Sequence, residues 1–365
     1  MRCECSLQKL YEAVSHAEKV VGKKESLPVL SCILIDVKDS INIRATNLET
    51  SISTTVPARV KNKGIIAVPS QVLLQALQTT RGDSVGLKTE VGNVNIISSG
   101  GITTIKTVPH EEFPSFPNPP KKKWNKLKTK VFLDGIKSVL YASSQSLIRP
   151  ELSSVFVSYD DGSLIFAATD SFRLAEKRIK TSITESISDT LIPAKNTLEI
   201  TTILGNINEE DISVLIDENQ VFIDAQSIHI ISRAIDGSFP NYQEIIPTSF
   251  ETEVTLLKED LATVFKKARI FSNPSQQVSF HVYPQKKIFT VTAQNFDVGE
   301  TSETIDAAVS GNDIDINFNL RYVSDCLQSI HTDSVTLQFA GDHKPVVVRG
   351  ISDQSFTYLA MPLNR

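Results

Sequence analysis

The sequence predicts an α+β chain made of three repeated, strand-rich domains with two helices each. Two observations carry this. Similar segments recur at about a domain's length: Leu27-Pro28-Val29-Leu30-Ser31 leading to Ala45-Thr46-Asn47, Arg149-Pro150-Glu151-Leu152-Ser153 leading to Ala168-Thr169-Asp170, and Asn273-Pro274-Ser275 leading to Ala293-Gln294-Asn295. Asn47, Asp170 and Asn295 stand 123 and 125 residues apart. Each copy also closes alike, on Phe113-Pro114, Phe239-Pro240 and Met361-Pro362, which lie 126 and 122 residues apart. A period this long is a domain and not a solenoid repeat. With 365 residues and 41% hydrophobic content the chain can bury three modest cores. The expected domains are residues 1–120, 121–247 and 248–365.

Each copy opens with a short strand and an amphipathic helix. In the first, Leu7, Leu10, Tyr11 and Val14 follow the i, i+3, i+4, i+7 spacing, with Gly22 as a stop. The second copy offers Ile136, Val139 and Leu140, and the third Leu257, Leu261, Val264, Phe265 and Ala268. A hairpin follows. Residues 32–37 and 41–46 alternate around Lys38-Asp39-Ser40, and 155–159 and 164–168 around Asp160-Asp161-Gly162. A second short helix opens near Pro69, Pro193 and Asn319, because a proline loses nothing where the first helical N–H has no partner. Two or three strands close each copy. The basic run Lys121-Lys122-Lys123 sits in a proline-rich connector and reads as a solvated linker.

Composition excludes several classes. No run approaches the roughly 18 apolar residues of a membrane helix, and Met1-Arg2-Cys3-Glu4-Cys5 begins a strand-like alternation instead of a signal peptide, so a soluble, cytoplasmic protein is expected. Cys3, Cys5, Cys32 and Cys326 are too scattered for a disulfide framework or a zinc site and read as reduced core thiols. There is no phosphate-binding glycine loop, no H-E-x-x-H and no G-x-S-x-G, and the six histidines do not cluster. No catalytic residue, metal or cofactor is expected, and an enzyme built on a repeated scaffold is the disfavoured alternative.

Charge placement says more than the net of −5. The expected helices, residues 7–24, 69–82, 133–149, 194–204, 257–273 and 319–330, carry thirteen Lys and Arg against seven Asp and Glu, leaving −11 on the remainder. If their wet faces point one way, that surface suits phosphate.

Over its whole length the chain resembles the bacterial DNA polymerase III beta subunit family, the sliding clamps. The likeness rests on Leu27-Pro28-Val29-Leu30, Ala45-Thr46-Asn47-Leu48-Glu49, Ala168-Thr169-Asp170-Ser171-Phe172-Arg173-Leu174-Ala175, Asp236-Gly237-Ser238-Phe239-Pro240-Asn241-Tyr242, Phe318-Asn319 with Tyr322, and Met361-Pro362-Leu363. The resemblance implies the DNA clamp fold and a head-to-tail homodimer whose six domains ring duplex DNA without reading sequence. It also implies docking of the replicative polymerase, the clamp loader and repair proteins. A divergent paralogue acting only as a partner-binding scaffold is the alternative.

The expected phosphate contacts are Lys23, Lys24, Arg81, Lys137, Arg149, Lys195, Lys266 and Lys267. Carried over from the family, the walls of a partner-peptide pocket between the second and third domains are Leu152, Thr169, Ser171, Phe172, Arg173, Leu174, Pro240, Ile245, Asn319, Tyr322, Leu359, Met361, Pro362 and Leu363. The implied dimer interface joins Ile102, Thr103 and Ile105 to Ile270, Phe271, Asp297, Glu300 and Glu303. This chain departs from the family pattern at Ser171-Phe172, where many members have Gly-His, and near Arg149, where Pro150 and Glu151 replace aromatic residues of some relatives.

Overall fold

Strands dominate all three thirds of the chain. The computed structural model describes residues 1–22, 27–183, 187–217 and 219–363. The first third runs β1 (Arg2–Ser6), α1 (Leu7–Glu18), β2 (Cys32–Val37), β3 (Ile41–Thr46), β4 (Thr50–Val56), β5 (Ala58–Asn62), β6 (Gly64–Pro69), α2 (Ser70–Thr79), β7 (Ser84–Glu90), β8 (Asn93–Ser98) and β9 (Gly101–Lys106). The second runs β10 (Asn125–Lys128), α3 (Thr129–Val139), β11 (Ser154–Asp160), β12 (Ser163–Thr169), β13 (Arg173–Lys180), β14 (Thr190–Pro193), α4 (Ala194–Leu204), β15 (Asp211–Ile216), β16 (Gln220–Ala225) and β17 (Ile228–Arg233). The third runs β18 (Thr252–Leu257), α5 (Lys258–Ile270), β19 (Gln277–Tyr283), β20 (Ile288–Asn295), β21 (Gly299–Ile305), β22 (Ala307–Gly311), β23 (Ile314–Asn319), α6 (Leu320–Asp325), β24 (Ser334–Phe339), β25 (Val346–Gly350) and β26 (Phe356–Ala360). Both expected hairpins form, and Asp161 and Gly162 turn the second with positive φ values of 44° and 69°.

Contacts divide this chain into two units, Met1–Leu133 with Ile183–Ala234, and Asp134–Ser182 with Ile235–Arg365. The reason is strand pairing across the expected boundaries. In the first unit β17 pairs with β4, extending a sheet ordered β10-β15-β16-β17-β4-β3-β2-β6 beside a second sheet, β5-β1-β7-β8-β9. In the second unit β13 pairs with β26 within the run β11-β12-β13-β26-β25-β24-β18-β22, beside the sheet β21-β20-β19-β23.

Helix starts follow local chemistry, although α3 begins at Thr129 where residue 133 is expected, and most helix ends correct the sequence reading. The Ser6 hydroxyl caps α1 by accepting from the Lys9 N–H at 3.4 Å, and Leu7, Leu10, Ala13, Val14 and Ala17 form its buried face. Gly135 lies where α3 crosses Phe166, and a Cβ there would overlap the ring. But α1 ends at Glu18, α2 at Thr79, α3 at Val139 and α6 at Asp325, all short of the expected limits. After α3 a 3-10 turn, Leu140–Ala142, ends where the Ser143 hydroxyl donates to the Leu140 carbonyl at 2.7 Å. The six helices therefore hold nine Lys or Arg against seven Asp or Glu, an excess of two instead of six. Most of the basic surplus belongs to segments beyond the helix ends, where Lys19, Arg81 and Arg149 stand. Lys23 and Lys24 lie outside the described residues.

All four cysteines are free and buried, and burial pushes the Cys3 thiol up to about 11 and that of Cys5 to about 12. Among the described residues, no group of His, Cys, Asp or Glu has the makings of a metal site, and no helix is long and apolar enough to cross a membrane.

Candidate functional site

In the second unit the turn between β12 and β13, residues 169–173, stands beside a cluster of apolar side chains. Thr169 Oγ1 donates to the Arg173 carbonyl at 2.7 Å and accepts from the Ser171 N–H at 3.1 Å. Asp170 Oδ1 accepts from the N–H groups of Phe172 and Arg173 at 3.0 and 3.1 Å, while Ser171 takes a left-handed φ of 76°. An Asp that bonds its own backbone two and three residues on is a standard way to close such a turn. With its backbone held, Phe172 is left 60% exposed.

The chain's last strand is laid against this turn. Leu174 faces Leu359 in the β13/β26 register, and beyond it the Met361 N–H donates to the Phe172 carbonyl at 2.8 Å. The Leu363 N–H donates to the Asn317 carbonyl at 2.8 Å. Ala167, Leu174, Tyr242, Val347 and Leu359 make a buried apolar cluster, with Phe156, Phe239, Ile246, Phe250 and Met361 packed against it. Phe156 and Phe239 stack with centroids 4.9 Å apart, and the Tyr242 hydroxyl donates to Glu176. Burial, with Glu176 close by, raises the Tyr242 pKa above the ordinary phenol value.

Arg173 is a buried clip between the turn and neighbouring elements. It is 3% exposed, and its guanidinium donates to Asp170 at 3.0 Å, to Asp325 at 2.7 Å and to the Tyr141 carbonyl at 2.6 Å. It also lies 4.7 Å from the centroid of the Tyr322 ring. Asn319 caps α6, its Oδ1 accepting from the N–H groups of Arg321 and Tyr322, which aims Tyr322 at Phe172 in a near-parallel stack with centroids 6.4 Å apart. The Tyr358 hydroxyl anchors the same residue by donating to the Tyr322 carbonyl at 2.6 Å.

Of the expected pocket residues, Leu174, Leu359 and Met361 meet in the cluster, and Phe172, Arg173, Asn319 and Tyr322 meet beside it. Leu152 and Thr169 are buried and serve as support, Ser171 and Ile245 are exposed, and Pro240, Pro362 and Leu363 are half-buried. The sequence reading missed Asp170, Tyr141, Phe156, Tyr242, Asp325 and Tyr358. For Asp170 alone a local signal existed, its Asx-turn spacing.

The expected interface residues lie on two sheet edges. β9 ends one sheet of the first unit, and β21 ends the smaller sheet of the second. Ile102 is 66% exposed but Ile105 is 5% exposed, which corrects its expected place on the outer surface. Residues three apart on a strand face opposite sides, so the pair cannot share one surface. Thr103 is exposed, as are Asp297 and Glu300. Ile270 is 64% exposed, and the half-buried Phe271 ring covers Gly299. The exposed apolar residues missed here are Phe296 and Val298, 96% and 60% exposed on the β20–β21 turn. Glu303 is paired with Lys267, whose hydrogen bond lowers the pKa of the Glu303 carboxyl. Among the other expected phosphate contacts, Arg149 donates to Glu151 at 3.0 Å and Lys195 lies 4.0 Å from Glu199. Arg81, Lys137 and Lys266 are exposed and make no ion pair among the described residues.

Family models place all three thirds of the chain in one family. They match the DNA polymerase III beta subunit N-terminal domain over residues 1–117, its central domain over 126–241 and its C-terminal domain over 243–364. Curated relatives include the proteins named beta sliding clamp from Staphylococcus aureus and Staphylococcus epidermidis, each 25% identical over 356 residues and 94% of both chains. Among solved structures, the DNA polymerase III beta subunit from Thermotoga maritima shares the fold with a TM-score of 0.94 at 24% identity, covering 100% of this chain and 99% of that one. The DNA polymerase sliding clamp from Bacillus subtilis gives 0.94 at 22% identity over 100% and 99%. The chain belongs to the DNA polymerase III beta subunit family, the bacterial sliding clamps.

Proposed function

We propose that two copies of this chain close head to tail around duplex DNA and tether a replicative polymerase, the apolar surface beside the 169–173 turn docking the polymerase, the clamp loader and repair proteins. The observation that carries the reading is the consecutive match of three clamp domains over nearly the whole length. The three domains are taken as residues 1–120, 121–247 and 248–365, the protein as non-enzymatic, and its setting as the cytoplasm.

Three features support the parts of the proposal. For docking, exposed Phe172 and Ile245 and half-buried Met361, Pro362 and Leu363, with the polar Ser171 and Asn319, give the mix expected of a site for a short apolar peptide. For closure, β9 and β21 are sheet edges with unpaired backbone groups, flanked by Ile102 on one and by Ile270, Phe271, Phe296 and Val298 on the other. The Lys267–Glu303 pair takes one carboxylate out of that contact, so apolar burial carries it and ion pairs add little. For DNA, Arg81, Lys137 and Lys266 offer uncommitted charge to phosphates, with Lys23, Lys24, Arg149, Lys195 and Lys267 as further contacts. Phosphate contacts position a protein without specifying sequence, so a ring that makes only these slides.

The test is topological. The protein is loaded onto nicked circular DNA and its retention measured by gel filtration before and after the DNA is linearised. A clamp is retained and then released, whereas release without cutting would refute the reading. Analytical ultracentrifugation should show a dimer at micromolar concentration whose dissociation constant changes little with salt, and Phe271→Ala should open it.

A further inference from the structure

In the first unit a cavity of about 790 Å³ opens between α1, the end of β4, the segment before β15 and the β16–β17 turn. Lys9, Glu12, His16, Thr54, Glu209 and Ser227 are among the residues that line it. Glu12 accepts from the Gln8 side-chain amide at 3.0 Å, and neither Glu12 nor Glu209 makes an ion pair among the described residues. Burial holds the His16 imidazole below its ordinary pKa even though Glu12 and Glu209 are near enough to push it up, so at neutral pH it does not compensate them. Thr54 is 5% exposed, and its hydroxyl has no hydrogen-bond partner among the described residues. A buried polar group of this kind calls for a partner.

The second unit shows what kind. Glu12 is the sixth residue of α1 and Asp134 the sixth of α3. Thr54 pairs with Ile228 in the β4/β17 register as Lys177 pairs with Phe356 in the β13/β26 register, and Ser227 precedes Ile228 as Ser355 precedes Phe356. Lys177, 5% exposed, places its ammonium 3.4 Å from Asp134 and donates to Ser355 Oγ at 3.0 Å. The first unit keeps the carboxylate and the serine but has an uncharged threonine in place of the lysine. It also adds a second carboxylate, since Glu209 stands two residues before β15 where Thr332 stands two residues before β24.

We infer that this cavity takes a primary ammonium on a short alkyl stem, seated among Glu12, Glu209 and Ser227 as the second unit seats its own Lys177. An ammonium carries three N–H donors, and two carboxylates with the Ser227 or Thr54 hydroxyl supply acceptors for all of them. Val56 and Ile228, buried at the cavity wall, give the methylenes an apolar side to lie against. Two carboxylates against Lys9 alone leave the lining net negative, which disfavours a DNA phosphate here. A free diamine and the lysine of a partner protein present the same group, and the probes below separate them.

The experiment titrates the intact protein at fixed ionic strength with putrescine and with Nα-acetyl-lysine methylamide, reading binding by calorimetry, with tetramethylammonium as a cation that has no N–H. One equivalent of ligand per chain should bind saturably, and tetramethylammonium should not compete. Glu12→Gln and Glu209→Gln should each weaken binding about fivefold, the scale of one partly exposed ion pair. Thr54→Lys, which gives the first unit the residue of the second, should abolish binding. If that variant does not fold, the two Gln variants, made on side chains that reach solvent, decide the matter alone. Tighter binding of putrescine would identify a free diamine as the occupant, and tighter binding of the blocked lysine a partner's side chain. Binding of neither probe would overturn the inference. Unchanged affinity in both Gln variants, or competition by tetramethylammonium, would mean that cations only gather on an acidic surface, and would overturn it too.

Discussion

The turn at residues 46–50 in the first unit and the turn at 169–173 in the second are the same backbone device filled differently. Thr46 Oγ1 donates to the Thr50 carbonyl at 2.9 Å and accepts from the Leu48 N–H at 3.0 Å, as Thr169 does with Arg173 and Ser171. Asn47 Oδ1 accepts from the N–H groups of Glu49 and Thr50, as Asp170 does from Phe172 and Arg173. Leu48 and Ser171 share the left-handed φ, 72° and 76°. Each turn also receives an incoming strand in the same way: the Arg233 N–H donates to the Glu49 carbonyl, and the Met361 N–H to that of Phe172, both at 2.8 Å. The side chains then part company. Glu49 pairs with Arg233 at 3.3 Å where the second unit has Phe172 and Met361, and Thr50 stands where the second unit has Arg173. A solvent-exposed ion pair stands at one turn, and exposed Phe172 with half-buried Met361 stands at the other. The frame is thus a property of the repeat, and the docking site is a property of a few side chains placed on it.

Arg173→Ala tests this contrast hardest. It removes the cation between Asp170 and Asp325 in a largely buried site, which costs roughly 3 to 5 kcal/mol by comparison with other broken buried pairs. Denaturant unfolding should show a large fall in midpoint, and peptide binding should be lost because Tyr322 and the turn are no longer tied. The matched change in the first unit, Thr50→Val, should do nearly nothing or stabilise slightly. The Thr50 hydroxyl is buried with no hydrogen-bond partner among the described residues, so losing it removes an unsatisfied group without leaving a cavity. Equal losses from both changes would show that the two turns bear load alike.

A second break exchanges the filling. Phe172→Glu with Met361→Arg gives the second unit the ion pair of the first, and peptide affinity should fall by roughly 1.5 to 3 kcal/mol per lost anchor. Fluorescence anisotropy reads this loss, and a thermal midpoint within a few degrees of wild type would show that the frame survives. Unchanged affinity would mean that the exposed Phe172 and the half-buried Met361 do not touch the peptide. Deleting residues 361–365 should have the same effect on binding and cost more stability, since it also removes the Met361 and Leu363 backbone bonds.

What was legible in the sequence follows the same division. The hairpins at 32–46 and 155–168 were readable because alternation and turn residues are local signals, and so were the helix starts, except that α3 begins at Thr129 and not at residue 133. Helix ends, that of α4 apart, were not. They depend on contacts such as the Ser143 hydroxyl meeting the Leu140 carbonyl, and misplacing them inflated the helical charge excess threefold. Phe172, Tyr322 and Met361 were reached through resemblance. Asp325 and Tyr358 were not, because Arg173 meets Asp325 across 152 residues and no local period announces such a contact. The Ile105 error was avoidable, since the two-residue period of a strand already separates it from Ile102.

The smallest effect is the sharpest test of equivalence between the turns. Leu48 and Ser171 both hold a left-handed φ, where a side chain costs roughly 1 to 2 kcal/mol that glycine does not incur. Glycine gives back roughly 0.5 to 1 kcal/mol through its freer unfolded chain. Leu48→Gly and Ser171→Gly should therefore each stabilise the protein by about 0.5 kcal/mol, the leucine slightly less because, at 49% exposure, it still gives up some apolar contact. Denaturant melts of the two single variants and the double variant should give gains of the same sign that add, because the residues share no partner. Opposite signs would mean that one of the two turns is held by something other than its own backbone bonds, and the pairing of frames drawn between the units would fail at that point.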